Sequence, residues 1–543
     1  MPQLPLDPAS YAEHRRQLWS RRGPNVQTEG DGKLLPCYQH ALKKGVPTNP
    51  HSAAAAAGGD APPIATALPM SSRSSAMAAP RSRVLDAMRR GIDAGATEPF
   101  YIIDLHAALE KLALWRALLP DVEPFYAYKC NGDAALVYTL ANAGVGFDCA
   151  SEAEIRAVTG LGVSPSRILY ANPIKQPSHL KTASSLGVPL TVFDAEHELL
   201  KIRDLHPSCG LLLRIATDDS QAQCVLSNKF GAQVKDASAL LDAAASLGLT
   251  VVGVSFHVGS GGSSSEVAGA SFRDAVMRAA AVFDEAEARG TPMSVLDIGG
   301  GFPGVDDAQT SFSAIAGALR SALDTHFPRD PSAKRGGVRL IAEPGRFFAC
   351  ATHHLAVSII GKKVVDTTKG VLTADGPDAA AQATGAEKGA PAAVDVSDAA
   401  LTSTAAPLPP AASSRTMYYI NDGLYGSFNC VLYDHANPGC EVVHAGGDVG
   451  DVPTTLGPCS VWGPTCDGID CVQSETLLPE LAVGSWLAFC DMGAYTACAG
   501  SNFNGMALPD AVYLQAHVHG GKKPLAPGNA AKEMLRQMGH PGA

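Results

Sequence analysis

Pro124-Phe125-Tyr126-Ala127-Tyr128-Lys129-Cys130-Asn131 is a short aromatic and apolar run that ends on a lysine, followed by polar Asn131 and flexible Gly132. Read as a strand, it alternates Phe125, Ala127 and Lys129 on one face with Tyr126, Tyr128 and Cys130 on the other. An amine at the mouth of a strand, among groups that disfavour its charged form, is a candidate Schiff-base former. Most lysines so placed simply reach water with their stems on apolar surface. The residues that accompany Lys129 decide between the two roles.

Working outward, apolar runs of strand length recur at 125–129, 147–150, 168–171, 190–194, 211–215, 251–258, 295–298 and 338–343, with helical patterns between them. In the sixth gap Ser271-x-x-Asp274 reads as a capping box, Phe272, Val276, Ala279 and Phe283 share a face, and Gly290 stops the helix. Phe312, Ile315, Leu319 and Leu323 repeat the pattern in the seventh. Eight such units predict a closed (β/α)8 barrel over 96–345, with an open doubly wound sheet as the rival. After Glu343 the texture changes: runs at 355–360, 417–420, 431–433, 459–462 and 485–490, with few helical stretches, predict a mostly antiparallel β domain over 346–525. The run at 100–103 precedes the barrel and is expected to join that domain.

The ends of the chain read differently. Residues 1–95 are rich in Pro, Ser, Ala and Gly and are expected to be a disordered extension; 366–414 reads as a disordered insertion and 526–543 as a tail. Residues 61–83 are Ser-, Arg- and Ala-rich without acids, a composition shared with organelle transit peptides, but they lie internally; a cytoplasmic location is expected. The 13 cysteines, an odd number without a C-x-x-C pair, fit a reduced protein. A net charge of −11 argues against nucleic acid or an anionic membrane as a general partner, and no apolar run is long enough to span a bilayer. His517 and His519 are read as surface or structural histidines.

Reactive residue types fall where strands end, the place where barrels of this kind gather active groups. Lys129 ends the first strand, Asp148 lies in the second, and His257 precedes Gly259-Ser260-Gly261-Gly262. Asp297-Ile298-Gly299-Gly300-Gly301 ends the seventh and Glu343-Pro344-Gly345-Arg346 the eighth. Glycine turns after strands let backbone N–H groups approach a phosphate, and Arg346 can add a charge-assisted contact. Gly299 to Gly304 also matches G-x-G-x-x-G, but no acidic residue ends a strand about 20 residues on, so a small phosphate anchor is the better reading. Lysine, phosphate cradle, carboxylate and imidazole together ask for pyridoxal phosphate, with Glu343 at the pyridine nitrogen.

The segments PFYAYKCN at 124, FDCASEAEI at 147, LLRIATDDS at 212, SFHVGSG at 255, DIGGGFPG at 297, AEPGRFF at 342, YYINDGLYGSFNCVLYDHA at 418, WGPTCDGID at 462 and MGAYTACAGSNFNG at 492 follow one order over about 98–506. In these the chain resembles the eukaryotic ornithine decarboxylases, fold-type III pyridoxal phosphate enzymes of alanine racemase-like architecture. The resemblance implies Lys129 as the Schiff-base lysine, His257 stacked on the cofactor ring, Glu343 at its nitrogen and Asp148 beside the imine. It implies Ser260, Gly299, Gly300, Gly301, Arg346 and Tyr495 at the phosphate. Cys466 matches the residue that returns a proton after carbon dioxide leaves; Asp434 and Asp467 match the pair holding the substrate's far ammonium, with Tyr433 and Phe503 on the substrate side.

The activity implied is decarboxylation of L-ornithine to putrescine, the entry step of polyamine biosynthesis, in a homodimer whose sites are shared across the interface, with an antizyme-like regulator as a further partner. Val225 departs from the arginine of many animal members, putting one polar contact near the cofactor in doubt. Phe503 favours ornithine over lysine. A lysine or arginine decarboxylase and an inactive regulator like the antizyme inhibitors are the alternatives, the latter opposed by the survival of Lys129, Arg346 and Cys466.

Overall fold

The computed structural model describes residues 73–366, 414–444 and 455–514. In chain order its first strands are β1 (Phe100–Ile103), β2 (Val122–Ala127), β3 (Gly146–Cys149), β4 (Ile168–Tyr170), β5 (Leu190–Phe193) and β6 (Gly210–Arg214). They are followed by β7 (Ala222–Cys224), β8 (Val251–Ser255), β9 (Ser260–Gly262), β10 (Val295–Asp297) and β11 (Arg339–Ala342). Eight of these close a parallel barrel in the order β2-β3-β4-β5-β6-β8-β10-β11, and β7 pairs with β9 outside it. Each of the eight expected strands is a barrel stave, so the open-sheet alternative is excluded.

The strands are short and apolar on both faces because both are covered. Phe125, Leu169, Val192, Leu212 and Ile341 fill the barrel interior, while Tyr126, Phe147 and Leu213 face the surrounding helices. Trp115, fully buried, donates its indole N–H to Val122 O at 2.8 Å and packs on Phe302, Phe312 and Phe347. Burying rings of this size contributes on the order of 2–3 kcal/mol each, which clamps the outer helices to the end of the barrel.

One cap differs from expectation. The long helix spans Ser265–Ala288, capped by Ser264, whose hydroxyl accepts the Val267 N–H at 3.2 Å. Ser271 lies within it, because the apolar face of Phe272 and Val276 continues back through Ala268. Gly290, at φ +72°, follows its end.

The second domain contains β12 (His353–Asp366), β13 (Ser414–Ile420), β14 (Cys440–His444), β15 (Leu456–Trp462), β16 (Cys471–Pro479), β17 (Trp486–Phe489) and β18 (Asp510–Tyr513). Its pairings are antiparallel except for β13 with β15 and β1 with β18. As expected, β1 joins this sheet, with Ile103 opposite His353. The stretch 431–433 is instead a helical turn, Cys430–Tyr433, in which Asp434 N–H bonds back to Cys430 O at 3.0 Å; three apolar residues alone do not distinguish strand from turn. The strands β14, β16 and β18 had no clear alternation to announce them.

The expectation of disorder throughout 1–95 is corrected. A helix runs from Arg73 to Asp93, and its Val84, Ala87 and Met88 are buried against Phe100, Ile102, Ala356 and Trp486. Val84 and Met88, four residues apart, form an apolar stripe that the polar composition of the segment obscures. Residues 366 and 414, assigned to the insertion, are strand ends paired with each other. The remainder of the extension and insertion, the tail, and His517 with His519 lie outside the described residues.

Candidate active site

Strand β2 ends at Ala127, so Lys129 lies two residues beyond it, on the tight turn Tyr128–Cys130, and is not the strand's last residue as the sequence reading has it. Its ammonium meets the Asp148 carboxylate of β3, which is fully buried. Burial acts to lower the lysine, but the charges of Asp148 and Glu343 outweigh it and hold the ammonium above its ordinary value. Ser151 caps the next helix, its hydroxyl accepting Glu154 N–H at 3.3 Å, and the Glu154 carboxylate accepts the N–H of Ala150, just before the cap, at 2.6 Å. That cap fixes the loop directly after Asp148.

His257 lies two residues beyond β8. Its Nδ1 accepts the Gly259 N–H at 3.1 Å, so a neutral ring carries its proton on Nε2. Burial first, then the charges of Arg214 and Lys129, push it well below the usual histidine value, and the ring is neutral at physiological pH. Arg214, at the end of β6, was not singled out from sequence; its position at the end of an apolar strand was the available signal.

Asp297, read from the sequence as the start of the strand-end glycine motif but given no role of its own, ends β10. It accepts Gly299 N–H and the Ser255 hydroxyl, both at 3.0 Å. Its neighbour Glu343 follows β11 and bonds through its N–H to Gly299 O at 2.7 Å. Burial raises both carboxyls, Asp297 to about 6 and Glu343 well above its ordinary value, each reinforced by surrounding carboxylates.

Between them runs the glycine turn. Gly299 and Gly301 have φ of +65° and +98°, and a Cβ would lie 2.1 Å from Phe256 O at the first and 2.4 Å from Gly259 O at the second. A Cβ on Gly300 would come within 2.7 Å of Glu343 O and 2.9 Å of His257 Nε2. Only glycine lets this backbone close so tightly.

Arg346 begins the next short helix. It donates to Ser260 Oγ at 3.4 Å, pairs with Asp434 at 2.6 Å, and lies 5.1 Å from the centre of the Tyr495 ring. Tyr495 comes from the β domain at φ +55°, with its N–H on Cys130 O at 3.0 Å. Beside these groups opens a cavity of about 820 Å³, lined among others by Ser260, Gly301, Arg346, Asp434 and Met492.

The remaining expected residues do not join this cluster. Asp467 bonds to the Tyr425 hydroxyl, and Tyr425 stacks on Phe503 with centroids 4.2 Å apart. Cys466 is exposed, its N–H on Asn504 Oδ1 at 3.2 Å, and Tyr433 is 72% exposed. Asp434 and Asp467, expected as a pair, therefore have different partners within one chain. Val225 is partly exposed and does not line the cavity.

The residues present fit pyridoxal phosphate. A lysine stands beside a buried carboxylate whose second oxygen, Asp148 Oδ1, has no hydrogen-bond partner in the described structure. A glycine turn that admits no side chain adjoins Arg346 and Ser260, and a carboxyl and a neutral imidazole stand next to it.

Comparison with known proteins agrees. Residues 105–350 match the family model described as pyridoxal-dependent decarboxylase, pyridoxal binding domain. The chain is 45% identical to ornithine decarboxylase of Rattus norvegicus over 420 residues, 77% of this chain and 81% of that one. It is 43% identical to antizyme inhibitor 2 of Xenopus laevis over 408 residues, 75% and 79% of the two chains. Among solved structures, an arginine decarboxylase of Paramecium bursaria Chlorella virus bound to agmatine aligns with a TM-score of 0.65 at 33% identity, covering 79% of this chain and all of that one.

Proposed function

Because the chain belongs to the ornithine decarboxylase family of pyridoxal-dependent decarboxylases, we propose that Lys129, Asp148, His257, Glu343 and Arg346 are the working residues of that activity. The reaction is decarboxylation of L-ornithine to putrescine and carbon dioxide with pyridoxal phosphate. The observation that carries the site assignment is the Lys129–Asp148 pair beside Glu343 on three neighbouring staves, next to the Gly299–Gly301 turn.

Bound here, pyridoxal phosphate would supply an electron sink for the pair released when the substrate's carboxyl departs. Lys129 would hold it through its amine, and Asp148 would receive the ammonium's proton. Glu343 would keep the pyridine nitrogen protonated, while His257 offers an uncharged ring that adds no competing cation. The Gly299–Gly301 amides, Ser260, Arg346 and Tyr495 would hold the phosphate. Asp434, poised beside Arg346, would select a substrate with a distal cation.

Cys466 and Asp467 sit away from the Arg346 cavity, on a domain that also exposes Leu432, Tyr433, Ile469 and Phe503. This supports a homodimer in which one protomer's Cys466 and Asp467 complete its partner's site. Cys466 then serves as the acid that delivers a proton to the product carbon. An antizyme-like regulator and a cytoplasmic location belong to the same reading. The regulator alternative, raised by the antizyme inhibitor match, is opposed by the intact set of amine, carboxylates and arginine.

Purified protein given ornithine, lysine and arginine side by side should yield putrescine preferentially; predominance of cadaverine or agmatine would reject the substrate choice. Inactive Lys129→Ala and Cys466→Ala proteins, mixed and allowed to exchange protomers, should recover partial activity. Absence of recovery, with exchange verified, would mean that each site is complete within one chain.

A further inference from the structure

The turn carrying Lys129 and the loop carrying Tyr495 belong to different domains, and a buried chain of side chains joins them. Asn131 follows Lys129 by two residues. Its Oδ1 accepts the Asp133 N–H at 2.9 Å, which fixes Nδ2 as the end that faces Gly493 O at 2.8 Å and His353 Nε2 at 3.3 Å. The other nitrogen of His353 lies 2.7 Å from Thr352 Oγ1, whose single proton goes to Ala349 O at 2.6 Å. Asn131, Thr352 and His353 are all buried.

Counting donors leaves one arrangement. The Asn131 amide has two N–H groups, one for Gly493 O and one for the ring. Thr352 has spent its proton, so the ring must donate to it from Nδ1 and accept from Asn131 at Nε2. The same residue holds the incoming loop through its backbone, His353 O accepting Met492 N–H at 2.7 Å. Three residues further on, Tyr495 N–H reaches back to Cys130 O.

We propose that His353, as the neutral Nδ1–H tautomer, is a positioning residue that ties the lysine turn of the barrel to the tyrosine loop of the β domain, setting the amine and phosphate ends of the cofactor site against each other. This rests on the cofactor reading above. A second proton on the ring would place N–H against N–H at Asn131 and break the link. The groups around the ring favour neutrality. Burial pulls it down to about 4; Asp133, itself bonded to the Tyr513 hydroxyl at 2.6 Å, opposes the fall, and His354 on the same strand adds to it. Tyr101 meets the ring edge-on at 5.6 Å.

The tautomer can be read without any substrate, by nitrogen NMR of histidine-labelled wild-type apoprotein, with the His353 signals assigned by their loss in His353→Gln. Nδ1–H with an unprotonated Nε2 is expected at neutral pH; an Nε2–H or a charged ring overturns the proposal. The functional half is read as cofactor affinity, separately from turnover. His353→Leu, which keeps bulk but offers no acceptor, should weaken binding of pyridoxal phosphate by roughly tenfold or more, as loss of supporting partners does at other bound groups. His353→Gln, whose amide oxygen can accept from Asn131, should restore most of it. Wild-type affinity in a folded Leu variant, or no rescue by a folded Gln variant, refutes the positioning role. Failure of the cofactor reading would look different: wild-type protein would not bind pyridoxal phosphate, whatever the tautomer.

Discussion

Replacing Asp297 by asparagine should stabilise the apoprotein above neutral pH while impairing turnover. The carboxyl is fully buried, accepts Gly299 N–H and the Ser255 hydroxyl, and faces Glu343. Burial raises it from 3.8 to about 6, its hydrogen bonds only partly opposing the rise. A carboxyl raised on folding contributes stability that is fully present below its unfolded value of 3.8 and is lost as pH climbs through 6. The interval, at 1.36 kcal/mol per pH unit, is worth about 3 kcal/mol at pH 8. Asparagine keeps the shape and an oxygen for Gly299 but cannot ionise, so it escapes the loss. Thermal unfolding of the apoprotein at pH 4 and pH 8, at one protein concentration, should show the variant ahead by several degrees at pH 8 and level at pH 4. In the same protein Glu343 loses its hydrogen-bonded carboxylate neighbour, and kcat/KM should fall roughly 10–100-fold, the usual cost of removing a supporting partner. A variant less stable than wild type at pH 8, or displaced equally at both pH values, would show that the fold favours the Asp297 anion and refute the reasoning.

A methyl group on Gly493 would lie 1.8 Å from Ala349 O, and that contact is with backbone that cannot swing away. Gly493→Ala should therefore cost about 1–3 kcal/mol of stability and weaken cofactor binding, measured by equilibrium dialysis; wild-type values for both would show that the loop yields freely. Glu198, fully buried, pairs with Lys201 and with the equally buried Lys175, whose ammonium also donates to Asn172 O, Pro173 O and Val192 O. Glu198→Ala should destabilise the barrel by about 3–5 kcal/mol by stranding that ammonium, with the diamine product unchanged; undiminished stability in denaturant would mean that Lys175 sheds its proton at no cost.

The barrel and the chemistry at its mouth were largely legible in the sequence. Eight apolar runs became eight staves, and Lys129, Asp148, His257, Gly299–Gly301, Glu343 and Arg346 stand on or just beyond strand ends. These signals are local: a strand's apolar run and the glycine turn after it lie within a few residues, so spacing along the chain carries them. The exceptions were settled by partners distant in sequence. Val84 and Met88 turned a polar segment into a docked helix because Trp486 and Phe100 were there to cover them. Arg346 holds Asp434 across 88 residues and Asn131 meets His353 across 222. Such pairings depend on how two domains close over each other, and no periodicity within either segment encodes that closure. The chain alone specified which reactive groups would stand at the rim; folding decided which carboxylate answers which cation, and which histidine must remain uncharged.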